Sequence, residues 1–248
     1  MAAAGDAKGK ALVTGGGSGI GLAVAQRLAA DGYVPVITGR DGGKLAAAGF
    51  PYAVMDVTNR DEVFAVAESH GPFAAVVSNA GIAPTAPALK TGPELWEAVI
   101  VTNLTGAYNV AMATLPAMVD RGAGRFVAIA STSALRAYRY TMAYSASKHG
   151  VLGMVRSLAL ELATTGVTCN AVCPGFTDTE IVRGAIRNII EKTGRSEEDA
   201  MRAFIGDNPM GRLVHPSEVA ETVAWLCSDG AASVNGAALP VDGGELAG

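Results

Sequence analysis

Seven short runs along the chain are apolar without alternation: residues 11–14, 33–38, 52–55, 74–78, 125–130, 167–173 and 237–241. Between them lie segments with helical spacing of apolar positions, at 19–30, near 43–48, and at 59–69, 93–120, 143–164 and 216–228. A strand that is apolar throughout is covered on both faces, whereas a strand with one wet face alternates. The repeated order of strand and helix therefore predicts an α/β fold. It is a doubly wound parallel sheet of about seven strands with helices on both faces.

One region breaks the rhythm. Residues 176–213 are more polar and charged than their surroundings, and within 176–210 Ile181, Val182, Ile186, Ile189 and Ile190 alternate with charges in the pattern of short amphipathic helices closing over a pocket. An excursion that long inside an α/β domain reads as a substrate-binding insert or lid. No repeat, low-complexity tract or linker divides the rest, so residues 1–248 read as one domain.

Composition narrows the function. The net charge of −4 and the absence of a basic block exclude a nucleic-acid partner. The uncharged stretch 98–119 is long enough to span a bilayer. Its Thr102, Asn103, Thr105, Asn109, Thr114 and Pro116 would be costly in lipid, so a core or interface helix is expected and no membrane partner. The opening Met-Ala-Ala-Ala-Gly-Asp lacks the apolar centre of a signal peptide, and the expected location is cytoplasmic. Cys169, Cys173 and Cys227 read as buried structural thiols, and His70, His149 and His215 are too scattered to suggest a metal site.

Two motifs carry chemistry. Residues 11–21 read Ala-Leu-Val-Thr-Gly-Gly-Gly-Ser-Gly-Ile-Gly, an apolar strand running through a glycine turn into a helix. Only glycine lets the backbone approach a pyrophosphate that closely, and the helix N-terminus offers free N–H groups. The run ends in Gly19-Ile20-Gly21 rather than Gly-Lys-Ser/Thr, which excludes a nucleoside-triphosphate loop. Residues 144–148 read Tyr-Ser-Ala-Ser-Lys. On a helix this places a phenol and an ammonium on one face, one turn apart. A methyltransferase shares the glycine turn but has no use for that pair. The combination points to nicotinamide-dependent oxidoreduction.

In these motifs, and in Ser78-Asn79-Ala80-Gly81, Asn103, Ser131, the stretch Asn170–Gly175 and Val241-Asp-Gly-Gly244, the chain resembles the short-chain dehydrogenase/reductase family over essentially its whole length. Tyr144–Gly175 looks most like polyketide ketoreductases and 3-oxoacyl reductases. The resemblance implies a compact single-domain Rossmann-type fold and a catalytic tetrad of Asn103, Ser131, Tyr144 and Lys148. It also implies cofactor contacts from Gly15, Gly17, Ser18, Gly19, Ile20 and Gly21, from Asp56 and Val57 near the adenine, and from Asn79, Ala80 and Gly81. Tyr144, Lys148, Pro174, Gly175, Thr177 and Thr179 complete the set, with no metal.

The chemistry is consistent with those roles. Hydride transfer to a ketone builds negative charge on oxygen, so the site must supply a proton and hydrogen-bond donors. Tyr144 is the expected acid in reduction and base in oxidation, its pKa lowered by Lys148 and a positive nicotinamide. Ser131, following the strand 125–130, is the expected donor to the carbonyl oxygen, with Ser133 its weaker rival. Asn103 is expected to interrupt its helix and hold a water leading to Lys148.

Where an NAD site commonly places Asp, this chain has Gly39 followed by Arg40. A guanidinium suits a 2′-phosphate, so NADP(H) is favoured and NAD(H) stays possible; Asp41 reaches a 2′-hydroxyl or caps a helix. The substrate is expected to be a small-molecule carbonyl or alcohol in an apolar pocket of Leu135, Tyr138, Phe176 and the 181–210 region. Arg136, Arg139, Arg183 and Arg187 are expected nearby. Thr164-Thr165 departs from the arginines that carrier-protein reductases present there, which weighs against carrier-protein docking. The apolar segments 98–119 and 150–163 point to a homotetramer. Two other readings stay open: an NAD-dependent secondary-alcohol or 3-hydroxyacyl-CoA dehydrogenase, and a non-catalytic cofactor sensor, against which Tyr144 and Lys148 both stand.

Overall fold

A computed structural model describes residues 8–247; the signal-peptide reading of the first six residues lies outside them. Seven parallel strands run β1 Lys10–Thr14, β2 Val34–Gly39, β3 Tyr52–Val54, β4 Phe73–Ser78, β5 Gly124–Ile129, β6 Val167–Pro174 and β7 Ala238–Val241. They lie in the order β3-β2-β1-β4-β5-β6-β7. The chain thus winds outward one way from β1, returns, and winds the other way from β4. The seam between β1 and β4 is where a crevice opens beyond the strand ends.

Alternate residues of each strand feed two separate cores. Leu12, Val76, Phe126, Ala128, Cys169 and Ala171 face one side. There they meet α3 (Arg60–His70), α5 (Gly106–Arg121) and α6 (Met142–Glu161), through Val63, Val110, Leu115, Val151 and Val155. Ala11, Val13, Ile37, Val77, Val127 and Val172 face the other. There they meet α1 (Gly19–Ala30), α2 (Gly42–Ala47) and α9 (Pro216–Leu226), through Val24, Leu28, Leu45, Val219 and Val223. This two-sided cover is why the strands read as unbroken apolar runs.

The expected single helix over 93–120 is α4 (Pro93–Ile100), a π-helical turn at Val101–Thr105, and α5 in continuous succession. By length and composition the run Pro93–Arg121 is apolar enough to cross a membrane. Here it lays Val99, Val110, Ala111, Leu115 and Met118 into the protein interior. The three cysteines are free and buried.

The irregular region holds two helices, α7 (Glu180–Thr193) and α8 (Glu197–Ile205). A parallel bridge between Thr177 and Val214 clasps the base of this excursion, with Asp178 N–H donating to Val214 (2.9 Å) and Val214 N–H to Phe176 (2.9 Å). The insert is therefore a closed loop on the sheet edge that carries its own helices.

Candidate active site

A cleft of about 540 Å³ opens over the C-terminal ends of β1, β4, β5 and β6. Its wall begins where those strands stop, at Gly15, Asn79, Ala130 and Gly175. Gly15 and Gly19 hold the left-handed backbone that the turn needs, with φ of 64° and 53°. Ser18 stands at the N-cap of α1 without a side-chain capping bond, which leaves the first-turn N–H groups of α1 to a ligand. Asn79 bridges the β1/β4 seam. Its N–H donates to Thr14 Oγ1 (2.9 Å), and its Nδ2 donates to the Thr14 carbonyl (2.9 Å).

The catalytic candidates converge on this cleft. Ser131 follows β5 and Tyr144 and Lys148 stand on α6, all three in the cleft wall. The Ser131 hydroxyl stands by the Tyr144 phenol and favours its phenolate, and its oxygen accepts from the Ser133 N–H (3.0 Å). Ser133, the rival, thus serves Ser131 through its backbone. Lys148 Nζ lies 5.7 Å from the centre of the Tyr144 ring and donates to the Ile129 carbonyl (2.8 Å). Asn103 sits behind the wall, buried within the π-helical turn. Its Oδ1 accepts from the Ile82 N–H (2.8 Å), and its Nδ2 donates to the Ile82 carbonyl (2.9 Å) and Ser147 Oγ (3.1 Å). A Cβ on Gly81 would lie 3.1 Å from Asn103 Oδ1 and 3.7 Å from Lys148 Nζ, so the asparagine, Gly81 and the lysine are neighbours. The helix interruption expected at Asn103 is this π turn.

The expected lowering of the Tyr144 pKa belongs to the site with an oxidised nicotinamide in place. In the protein alone the phenol is raised above its ordinary pKa, because burial penalises the phenolate more than the Ser131 hydroxyl relieves it. Burial acts on Lys148 as well, pushing its ammonium down to about 8. An alkaline limb in kcat/KM for the cofactor, which reports the free protein, is therefore expected near pH 8 and belongs to Lys148. Tyr144 stays protonated through that range. Lys148→Arg, whose guanidinium stays charged, should lose the limb; a limb unchanged in that variant would assign it to another group. Stability carries the opposite sign. Between about 8 and the lysine's ordinary value of 10.5 the unfolded chain binds more protons at this position, so this group's contribution rises with pH.

Of the cofactor candidates, Gly15, Ser18, Gly19, Ile20, Arg40, Asn79, Ala80, Gly81, Pro174, Gly175, Thr177 and Thr179 line the cleft. Gly17 and Gly21 lie beneath it: a Cβ on Gly17 would touch Lys44, and one on Gly21 would stand 2.2 Å from the Gly15 carbonyl oxygen. Asp56 and Val57 lie off the cleft wall. Asp56 accepts from the Thr58 N–H (2.9 Å) and hydroxyl (2.8 Å), and Val57 packs against Gly106. Asp41 caps α2 by accepting from the Lys44 N–H (3.1 Å), which spends it on the helix. Arg40 faces the cleft and makes no salt bridge among the described residues.

On the far side, Tyr138, Phe176 and Phe204 form an edge-to-face aromatic row, with centroids 6.2 and 5.1 Å apart. Ile181, Val182 and Ala185 of α7 complete it. Leu135 does not join them; it turns outward and is exposed. Arg136 and Arg183 are not in the cleft wall either. Arg136 pairs with Asp207 (2.7 Å) and Arg183 with Asp178 (2.6 Å). Sequence reasoning missed Glu245, a buried carboxylate that accepts from the Tyr138 phenol and fixes that ring. Nothing local marks it, because its partner lies 107 residues away. Among the described residues no three His, Cys, Asp or Glu side chains cluster as a metal site.

The comparisons agree with this geometry. A family model described as enoyl-(acyl carrier protein) reductase matches residues 15–245. The chain is 42% identical to the 3-oxoacyl-(acyl-carrier-protein) reductase MabA of Mycobacterium bovis, over 94% of this chain and 91% of that protein. It is 38% identical to a D-beta-hydroxybutyrate dehydrogenase of Cupriavidus necator, over 96% and 97%. A crystal structure of an actinorhodin polyketide ketoreductase with NADPH superposes with a TM-score of 0.90 at 40% identity, covering 99% of both chains.

Proposed function

The chain belongs to the short-chain dehydrogenase/reductase family of oxidoreductases, and from that premise we propose that it is an NADP(H)-dependent reductase. It converts a ketone (3-oxoacyl, polyketide-like, or a small hydrophobic carbonyl) to a secondary alcohol. The observation that carries this reading is the convergence of Ser131 and Tyr144 in the wall of one cleft, with Lys148 beside the Tyr144 ring. The nature of the relatives supports it: the mycobacterial protein is named a 3-oxoacyl reductase, and the superposed structure is a ketoreductase with NADPH.

The cleft fits a dinucleotide. Its floor is bare backbone at Gly15 and Gly19, with Thr179 over Gly19, and Pro174, Gly175 and Thr177 line the same cleft. When bound there, the nicotinamide supplies the hydride. The side chains of this protein do the rest. Ser131 donates a hydrogen bond to the carbonyl oxygen. Tyr144, kept protonated by burial, delivers its proton to that oxygen as charge develops. Lys148 holds positive charge next to the phenol and reaches the ribose hydroxyls. Asn103, hydrogen-bonded to both backbone groups of Ile82, holds the wall behind them and the water path to Lys148. The aromatic row and α7 take the remainder of the ketone and exclude water.

Arg40 is proposed to select the cofactor by pairing with its 2′-phosphate. Arg40→Ala should raise KM for NADPH by roughly tenfold, the order expected for a charge-assisted hydrogen bond, and leave KM for NADH nearly unchanged. Equal changes for both cofactors, or a wild type that prefers NADH, would contradict this. A second reading is favoured by the C. necator relative, which is named a dehydrogenase: the same residues run in reverse on a secondary alcohol, with Tyr144 as base. The substrate reads as free or CoA-bound, since Thr164 and Thr165 replace the arginines of carrier-protein reductases. A homotetramer is also proposed. Tyr108 and Leu160 lie exposed on α5 and α6, in the apolar segments that would meet across its two-fold axes. Light scattering should give four times the chain mass at micromolar concentration; a monomer mass would refute it.

A further inference from the structure

The insert touches the cofactor turn at two points. Thr179, the N-cap of α7, sits over Gly19, its Cγ2 3.2 Å from where a Cβ on that glycine would be. The next residue, Glu180, reaches across the cleft mouth to Lys44 of α2, with Oε2 2.5 Å from Nζ. Lys44 itself stands on the glycine turn, its Cβ 3.3 Å from a Cβ placed on Gly17. Lys44, Glu180 and Arg40 all line the cleft, and Arg40 makes no salt bridge among the described residues. One cation at this end of the cleft is therefore uncommitted, and a second is held by a carboxylate of the lid.

We propose that Lys44 is a second specificity-determining cation for the 2′-phosphate and that its pair with Glu180 is a latch between lid and cofactor turn which that phosphate displaces. This rests on the NADP(H) reading above. A phosphate placed by Arg40 brings up to two negative charges and three acceptor oxygens. It outcompetes one carboxylate for Lys44, and the released Glu180 turns away into solvent. The pair is exposed to solvent on both sides, 48% and 70%, so it is weak enough to exchange. Its release frees the first turns of α7, whose Ile181, Val182 and Ala185 line the substrate side. A cofactor with a 2′-hydroxyl offers nothing to displace Glu180 and leaves the latch closed. Cofactor identity is thereby passed to the lid through one ion pair.

The test uses the full chain and two probes, adenosine 2′,5′-bisphosphate and 5′-AMP, in titration calorimetry. Glu180→Gln should tighten the bisphosphate by roughly two- to fivefold, the strength of an exposed ion pair, and leave 5′-AMP unchanged. Lys44→Gln should weaken the bisphosphate, and in that background Glu180→Gln should have no effect. Hydrogen exchange in α7 should rise on adding the bisphosphate and not on adding 5′-AMP. The latch is overturned if Glu180→Gln shifts both probes alike, if its effect persists without Lys44, or if α7 exchanges equally with both. A wild type that binds the two probes equally overturns the NADP(H) reading and the latch together. A wild type that prefers the bisphosphate, with no coupling in the double variant, overturns the latch alone.

Discussion

Replacing Tyr144 by Phe should lower kcat for ketone reduction by roughly 10²–10⁴-fold, the usual contribution of general acid–base catalysis, while cofactor affinity stays within a factor of about two. The ring remains, so its packing in the cleft wall and beside Lys148 is kept. What goes is the phenolic proton that stands beside Ser131 in the cleft wall. Because the interaction is made as charge builds on the substrate oxygen, the loss falls on kcat rather than on ground-state binding. The measurement is a steady-state profile of the variant beside a fluorescence titration of cofactor. Near-native turnover would move the proton donor elsewhere. Loss of cofactor binding would make Tyr144 a structural residue.

Gly21→Ala is the second large effect, and it acts on the cradle rather than the chemistry. A methyl there would stand 2.2 Å from the Gly15 carbonyl oxygen and 2.6 Å from Asn79 Nδ2. Neither neighbour can yield easily. The Gly15 carbonyl belongs to the turn, and Asn79 is tied to Thr14 by its N–H and its amide. α1 must therefore move off β1, where Val24 and Leu28 are fully buried. Such overpacking costs about 1–3 kcal/mol. The displaced turn should weaken cofactor binding by tenfold or more for each ~1.4 kcal/mol that reaches it. A melting curve and a cofactor titration on the same preparation separate the two consequences. Unchanged values in both would show that the turn is looser than its contacts imply.

The sequence made the sheet legible because burial on both faces writes itself as apolar runs. Ala11 through Thr14 and Phe126 through Ile129 have no wet side to interrupt them. β3 was the least marked: Tyr52 and Val54 are exposed on the edge strand, and the apolar run continued one residue past it into Met55. Tyr144 and Lys148 were legible as a pair because they lie one helical turn apart, whereas Ser131 and Asn103 came with the family resemblance. The insert was legible as a break in rhythm holding short amphipathic helices, which are α7 and α8. Its clasp at Thr177 and Val214 pairs residues far apart in the chain, and no periodicity announces it.

The environment of the side chains was the part that spacing could not supply. Arg136 and Arg183 looked like substrate-side cations until their partners, Asp207 and Asp178, were placed beside them. Leu135 looked like a pocket residue, but the turn after Ser131 points it to solvent. The raised pKa of Tyr144 follows from burial, which a sequence does not state. In the fold, that shift keeps the phenol protonated, the form needed for reduction.

The most direct test of the account is ketone-dependent oxidation of NADPH by the purified protein. It is followed in the nicotinamide absorbance band against 3-oxoacyl thioesters, cyclic diketones and small hydrophobic ketones. The account predicts turnover of at least one of them with NADPH, slower turnover with NADH, and its loss in Tyr144→Phe. A protein that binds NADPH but oxidises it with no ketone, and reduces NADP⁺ with none of the matching alcohols, would contradict it.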